Sequence, residues 1–350
     1  MQKKYFFYIA VFAAALAFGV VMLGAYVRLS QAGLGCPDWP GCYGHIVVPT
    51  AQQAASADAA RPLEAARAWK EMIHRYFAGS LATLILILAV MAFWSGRPYA
   101  AEGRTPGSGV VRRKEPGQPL LLPTLLLGLV IFQALLGMWT VTLLLFPPVV
   151  MGHLLGGLAT FALLVLLVLQ SGGFLRNAAS ATDGMRRLAA LGLAVLICQI
   201  ALGGWVSSNY AAIACPDFPT CQGAWWPAMD MHNAFSWHGL GPDYQGGILD
   251  NPARIAIHVM HRLGALTTFL VLGGTALLFL LKGRNRALKG VGLLVLALLC
   301  LQVVLGISLV EFGWPLALAD LHNGVAALLL AATVTLNWAA WSGTTAENIG

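Results

Sequence analysis

The chain has 350 residues, of which 58% are hydrophobic and only 10% are charged, and its formal net charge is +7. A soluble domain carries about 25% charged residues, so this chain cannot cover a water-facing surface. The composition excludes a soluble enzyme, a disordered protein and a nucleic-acid-binding protein, and it predicts a protein that is solvated mostly by lipid.

Eight apolar stretches are long enough to cross a bilayer, which takes about 20 residues per helix. Because lipid gives backbone N–H and C=O groups no outside partner, we predict an all-α integral membrane protein. Barrel strands would alternate apolar and polar residues, and the run 81–91 does not. The predicted spans are 5–28, 72–94, 120–143, 148–170, 187–208, 254–281, 288–311 and 316–342.

Basic residues concentrate on one side of these spans. Since cytoplasmic loops are enriched in Lys and Arg, we predict that both chain ends are cytoplasmic. The long loops 29–71 and 209–253 then lie on the opposite side of the membrane. The first span is too long for the apolar region of a cleaved signal peptide, about 7–15 residues, so we expect it to be retained. The basic residues of the cytoplasmic side are Lys3, Lys4, Arg97, Arg104, Arg112, Arg113, Lys114, Arg176, Arg186, Arg187, Lys282, Arg284, Arg286 and Lys289.

An internal repeat links the two halves of the chain. Leu23–Cys42 (LGAYVRLSQAGLGCPDWPGC) aligns without a gap with Leu202–Cys221 (LGGWVSSNYAAIACPDFPTC), 179 residues later. The shared C-P-D-[WF]-P-x-C segment is too polar and too ordered to arise from similar apolar composition alone. Further matches occur in the same order: Ile73–Arg75 with Met260–Arg262, Gln133–Gly137 with Gln302–Gly306, and His153 with His322.

We therefore predict two tandem copies of one four-span unit, residues 1–175 and 176–350. Four is an even number of spans, so both copies have the same orientation. The repeat is then a parallel one, with a pseudo-two-fold axis along the membrane normal. Each copy should form a four-helix bundle, a fold that holds cofactors between facing helices.

Four histidines lie where a predicted span begins on the outer side: His74, His153, His261 and His322. A polar ring inside a bundle is costly unless it has a partner. Each repeat places one histidine on its second helix and one on its fourth, and these helices can lie diagonally across the bundle. Zinc would require four ligands, whereas heme iron needs only axial ones. The pattern predicts two bis-histidine heme sites near the outer face.

Further residues accompany these histidines. Arg75 and Arg262 directly follow ligand candidates, and each is a candidate to bind heme propionates; the alternative is an interfacial Arg that extends to water. His258 lies one turn before His261 on the same face, and we prefer His261 as the ligand because its His-Arg pair matches His74-Arg75. The other histidines, expected in solvated loops, are His45, His232 and His238.

One acid breaks the symmetry of the repeat. Glu71 occupies the place that His258 has in the second copy, three residues before His74 on the same face of the helix. A carboxylate beside a heme edge can accept protons or stabilise positive charge. The alternatives are an acid favoured by the helix dipole or an ion-pair partner of Lys70 or Arg75. The asymmetry predicts that the first half carries out the catalytic chemistry and that the second half is an electron-carrying or structural copy.

The long loops each contain a C-x5-C pair, Cys36 with Cys42 and Cys215 with Cys221. Disulfides persist in the oxidising compartment that these loops are predicted to face. We expect a structural disulfide in the second loop, and either a structural or a redox-active one in the first. Cys198 and Cys300 lie inside spans and are expected to be inert core thiols.

Taken together, these motifs resemble those of the heme A synthase family, in order and over nearly the whole chain. The segments that carry the resemblance are the GAYVRLS…GLGCPDWPxC loop, the E-x-x-H-R of Glu71–Arg75, the helix of His153, the second C-x5-C pair, and the histidines at 261 and 322.

The resemblance implies an enzyme that oxidises the C8 methyl group of heme O to a formyl group, through heme I and a gem-diol, to give heme A for terminal oxidases. It implies that His74 and His153 bind the substrate heme and that His261 and His322 bind a permanent heme b. Glu71 then matches the catalytic acid. Cys36 and Cys42 match a pair that some members lack, which implies a modulatory role.

Other functions fit parts of the pattern. A di-heme electron-transfer protein of the quinol-oxidising type would stagger its hemes across the membrane, whereas all four histidines here lie on one side. A heme chaperone or transporter would bind heme O and release it unchanged. A thiol oxidoreductase would be expected to carry C-x-x-C. The expected partners are membrane lipid, a heme O synthase (protoheme farnesyltransferase) and oxidase assembly factors, with oligomerisation left open.

Overall fold

The computed structural model describes residues 2–58, 61–96, 120–175, 181–236, 239–283 and 285–342. Within these ranges the fold is all-helical, and eight helices are long and apolar enough to cross a membrane, which confirms the predicted class. The basic loop residues between 97 and 114, Arg176, Arg284 and His238 lie outside the described residues. The helices are α1 (Gln2–Leu29), α2 (Ala51–Ala57), α3 (Ala65–Gly96), α4 (Leu121–Thr142), α5 (Pro147–Gly172), α6 (Asp183–Ser208), α7 (Met231–Ala234), α8 (Asn251–Lys282), α9 (Arg286–Glu311) and α10 (Leu316–Trp341).

Two spanning helices begin earlier than hydropathy alone predicts. Helix α3 starts at Ala65 rather than near residue 72, because its first turns consist mostly of good helix formers that continue the helix beyond the apolar stretch. Helix α8 starts at Asn251, where the side chain of Asp250 caps it by accepting a hydrogen bond from the Ala253 amide. His74 and His261 consequently lie more than two turns inside their helices, not at the helix starts.

The spanning helices form two closed rings of four. In the first ring α1 and α4 each pack against both α3 and α5; in the second, α6 and α9 each pack against both α8 and α10. The second and fourth helices of each ring therefore lie diagonally across it, as the sequence predicts. The rings meet where α1 packs on α10, α10 on α5 and α5 on α6.

Helix α10 lies at the centre of the interface between the rings. Of its most apolar window 56% is buried, against 22–28% for the other seven spans, which face lipid more extensively. Small residues permit close helix contacts in membranes, and Gly324 illustrates this: a Cβ atom there would lie 2.6 Å from Sδ of Met22 on α1. The two rings thus share one continuous core.

The two C-x5-C loops have matching local structures. The Asp38 carboxylate accepts hydrogen bonds from the amides of Tyr43 and Gly44, and the Asp217 carboxylate from those of Gln222 and Gly223. In each loop the second cysteine pairs through its backbone with the residue three positions later. A duplication predicts such correspondence; the tandem repeat itself remains a prediction from the sequence.

Candidate functional site

The first ring brings His74 and His153 face to face. Helix α3 carries His74 and the diagonal helix α5 carries His153; their ring centroids lie 6.5 Å apart, with the planes at 83°. An imidazole nitrogen binds a first-row metal ion at about 2.0–2.1 Å, so two imidazoles on opposite sides of one ion should have centroids roughly 6 Å apart. The observed centroid separation fits one iron between the imidazoles of His74 and His153.

A glycine on the preceding spanning helix forms the surface against which each of the four histidines packs. A Cβ atom at Gly24 would lie 3.0 Å from Cε1 of His74, closer than nearly all real Cβ contacts. The other three pairs have corresponding separations of 3.1–3.3 Å: Gly137 with His153, Gly203 with His261, and Gly306 with His322. These glycines were not among the predicted site residues, although they lie in the matched LGxxV and QxxLG segments.

Glutamine side chains contact three of the four histidines, either at the backbone carbonyl or at a ring nitrogen. Gln133 donates a hydrogen bond of 2.8 Å to the carbonyl oxygen of His153. In the second ring, Nε2 of Gln199 lies 3.1 Å from Nδ1 of His261, and Nε2 of Gln302 lies 3.1 Å from Nε2 of His322. The glutamines therefore contact both imidazoles of the second ring.

The donor set suits heme iron rather than a bare metal ion. Among the described residues, Nδ1 of His74, His153 and His322 is buried and has no hydrogen-bond partner. Buried polar atoms rarely remain unpaired, so the unpaired nitrogens of these facing imidazoles are compatible with a ligand that binds between them. In the same described part of the chain, no three metal-ligating side chains come together. Two histidines alone suit an iron whose remaining ligands come from a porphyrin.

Glu71 lies beside the first histidine pair and beneath the first long loop. Its side chain is buried, three residues from His74 on the outer side of α3. Oε2 accepts a hydrogen bond of 2.9 Å from the backbone amide of Cys36, and Oε1 pairs with Nη2 of Arg75 at 2.5 Å. The carboxylate is thus held between a cation and the disulfide loop.

Arg75 and Arg262 hold the two disulfide loops onto their helices. Arg75 donates to the carbonyl oxygens of Asp38, Pro40 and Gly41. Arg262 correspondingly donates to those of Thr220, Asp217 and Cys215, at 2.7, 2.9 and 3.2 Å. These contacts were not predicted from the sequence. Propionate binding by the two arginines remains a prediction alongside this loop-anchoring role.

Both loop cysteine pairs are disulfides. Cys36 and Cys42 have a Cα–Cα distance of 4.8 Å, and Cys215 and Cys221 one of 4.7 Å. Beside the second disulfide, the Asp217 carboxylate accepts hydrogen bonds from the Thr220 hydroxyl and from two backbone amides, which lower the pKa of Asp217. A redox role for the first pair stays a prediction.

The two remaining cysteines correct a prediction. Cys198 and Cys300 are exposed on the outer surfaces of α6 and α9, so the prediction of core thiols was wrong. Apolar composition does not reveal which face of a membrane helix points to lipid, because lipid and protein core are equally apolar.

The other histidines separate into one buried residue and two exposed ones. His258 is buried, and its ring centroid lies 5.6 Å from that of Trp314. An imidazole therefore occupies the place that a paired carboxylate, Glu71, has in the first half. His45 is exposed in the first long loop, as predicted, whereas His232 is exposed on the short helix α7 within the second long loop.

The chain is similar to known proteins over nearly all its length. A family model described as cytochrome oxidase assembly protein (COX15-CtaA) matches residues 7–334, a range that includes most of both rings and the four candidate histidines His74, His153, His261 and His322. A protein named heme A synthase from Shewanella oneidensis is 46% identical over 333 residues, covering 92% of each chain. A protein of the same name from Caulobacter sp. strain K31 is 27% identical over 353 residues, covering 93% of each chain. Another, from Halalkalibacterium halodurans, is 27% identical over 316 residues, covering 89% of this chain and 88% of the relative.

Proposed function

The chain belongs to the family of cytochrome oxidase assembly proteins, and on this premise we propose that it is a membrane oxidoreductase that converts heme O to heme A. The observation that carries the proposal is the facing pair of His74 and His153, 6.5 Å apart, with the buried carboxylate of Glu71 one turn outward. The curated relatives from three bacteria, all named heme A synthase, support the same activity.

In this proposal heme O binds as substrate between His74 and His153. Its C8 methyl group is hydroxylated to the alcohol of heme I and again to a gem-diol, which loses water to leave the formyl group. With water as the oxygen donor, each hydroxylation (R–CH3 + H2O → R–CH2OH + 2 e⁻ + 2 H⁺) removes two electrons from the carbon and releases two protons, and the electrons must pass to an acceptor outside the substrate. Glu71 is placed to accept a proton at a carboxylate oxygen, and Arg75 balances its charge while it is ionised.

The second ring has a different role in the proposal. His261 and His322 would hold a resident heme b, which supplies an electron acceptor when bound. The two rings share a core through α1, α5, α6 and α10, so the two proposed heme sites lie on either side of one packed helix interface. Residues 1–175 are then the catalytic half and residues 176–350 the cofactor half.

Placement in the membrane follows from the charge pattern. The chain is a multi-pass protein of a bacterial membrane. We propose the inner membrane, with both chain ends in the cytoplasm and the histidine pairs and disulfide loops towards the periplasm. Heme O would arrive laterally from a heme O synthase, and heme A would pass to oxidase assembly factors.

Heme extraction from the purified protein tests the proposal. Pyridine hemochrome analysis with chromatography should find heme b together with heme O, heme I or heme A when the host makes heme O, and heme b alone when it does not. Heme b alone under both conditions would favour electron transfer. Heme O that is bound but never oxidised would favour a chaperone, and a preparation that binds no tetrapyrrole would end the proposal.

A further inference from the structure

A glutamine contacts the ring of His261, whereas a valine stands in the equivalent place in the first half. Nε2 of Gln199 lies 3.1 Å from Nδ1 of His261 and donates a hydrogen bond of 3.0 Å to the His261 carbonyl oxygen. Val20 is 179 residues earlier, the same offset that aligns the two C-x5-C loops. Its hydrocarbon side chain offers His74 neither a donor nor an acceptor.

The space for this glutamine also differs between the halves. Gln199 packs against Gly264 of α8, where a Cβ atom would overlap Oε1 of Gln199. The residue equivalent to Gly264 in α3, at the 187-residue offset of the two His-Arg pairs, is Phe77. The sequence therefore carries a Gln-Gly pair in the second half and a Val-Phe pair in the first.

The second histidines also differ, but at the other ring nitrogen. Gln302 lies 3.1 Å from Nε2 of His322, whose Nδ1 has no hydrogen-bond partner among the described residues. Gln133, at the equivalent position, donates its side-chain hydrogen bond instead to the backbone carbonyl of His153, and the groups beside the two imidazoles of the first ring are the backbones of Val20 and Gln133. Side-chain amides thus restrain both imidazoles of the second ring and neither of the first.

Such partners control how firmly a histidine binds a metal. The group that hydrogen-bonds the second ring nitrogen fixes the ring's orientation and tautomer, and its removal typically weakens metal binding about 10–100-fold. A glutamine amide serves either tautomer, since its NH2 group donates and its oxygen accepts. The NH2 group of Gln199 contacts Nδ1 of His261 and the carbonyl oxygen of the same residue at once, so it restrains both the ring and the turn of helix that carries it.

We propose that Gln199 is a positioning residue that makes the second ring a permanent heme site, and that Val20 leaves the first ring able to exchange its heme. This inference rests on the proposed function, because a substrate site must release product while a cofactor site must retain its heme. It gives a structural reason, independent of the relatives' names, for which half holds the cofactor.

The test measures heme transfer from the purified full-length protein to excess apomyoglobin, followed by visible absorbance. The wild type should lose heme in a fast phase and a slow phase, and His74→Ala should remove the fast one. In Gln199→Val the slow phase should become about ten-fold faster or more. The reciprocal double variant Val20→Gln/Phe77→Gly should slow the fast phase relative to Phe77→Gly alone.

The matched control is Gln133→Val, the same substitution at a glutamine that packs on a glycine, Gly156, and donates its hydrogen bond to the backbone carbonyl of a histidine rather than to the ring; it should change the rates less than Gln199→Val. An unchanged slow phase in Gln199→Val overturns the inference, as does an equal acceleration in Gln133→Val. If Gln199→Val does not accumulate in the membrane, the double variant Val20→Gln/Phe77→Gly decides the question. A fast phase in that variant equal to the fast phase of Phe77→Gly overturns the inference. A wild type without transferable heme would instead contradict the proposed function.

Discussion

The backbone amide of Cys36 donates a hydrogen bond of 2.9 Å to the carboxylate of Glu71. This contact joins the first disulfide loop to the buried acid beside the first histidine pair. Arg75 completes the unit, since its guanidinium binds both the Glu71 carboxylate and carbonyl oxygens of the same loop. The position of the acid therefore depends on the folding of a loop 35 residues away.

Glu71→Gln should bind heme normally but form heme A at a rate lower by about two orders of magnitude or more. Glutamine keeps an oxygen that can accept the Cys36 amide hydrogen bond, but it cannot accept a proton, and general-base catalysis contributes about 10²–10⁴-fold. Chromatography of the extracted hemes gives the ratio of heme A to heme O. The matched control is Glu64→Gln, at an exposed carboxylate paired with Arg67. Normal heme A formation in Glu71→Gln would rule out the catalytic assignment.

Removal of the first disulfide should lower heme A formation more than removal of the second. The double variant Cys36→Ser/Cys42→Ser loosens the loop whose amide binds Glu71, whereas Cys215→Ser/Cys221→Ser loosens a loop that has His258 in the corresponding place. Both variants should still bind heme, as measured by pyridine hemochrome. Equal losses of activity in the two variants would contradict a special role of the first loop in holding Glu71.

A side chain at Gly24 should displace His74 and weaken heme binding in the first ring. A Cβ atom there would lie 3.0 Å from the His74 ring, and valine adds two further methyl groups, so we expect Gly24→Val to lower heme occupancy several-fold. Gly19 lies on the same helix, and among the described residues no neighbouring side chain or helix comes within 4 Å of the place that its Cβ atom would take. Gly19→Val is therefore the matched control. Full occupancy in Gly24→Val would show that the glycine contact does not position the ring.

His261→Met and His322→Met should each remove the heme b spectrum while the first ring keeps part of its heme. A thioether is a weaker and softer ligand than imidazole, and the one proposed site of the second ring has only two histidine ligands, His261 and His322. Low-temperature absorbance and EPR spectra of the purified variants give the measurement. His74→Met serves as the comparison, since it should affect the other heme. An unaltered heme b signal in both variants would refute the second site.

The sequence predicts most of the fold because lipid imposes a local rule. Every spanning segment must satisfy its own backbone hydrogen bonds, so length and hydropathy alone reveal eight helices. The rule says less about where helices end in water: α3 begins at Ala65, seven residues before the predicted span, because polar residues with high helix propensity continue it.

The candidate site is only partly readable from the sequence. Repetition reveals the four histidines and the asymmetric Glu71, since a duplicated pattern shows which positions recur and which differ. The partners of these residues were not predicted. That Arg75 holds loop carbonyls, or that Gly24 supports His74, depends on how helices and loops approach one another in space.

The amino-acid sequence by itself determined the membrane-spanning class, the positions of the histidines and the two C-x5-C pairs, because each follows from composition, from spacing or from internal repetition along the chain. The tertiary structure alone decided that Glu71 binds the Cys36 amide and that Gln199 contacts the ring of His261. These contacts join residues 35 and 62 positions apart. Contacts between residues so far apart along the chain are set by helix packing and loop closure, and a local pattern of residues does not reveal them.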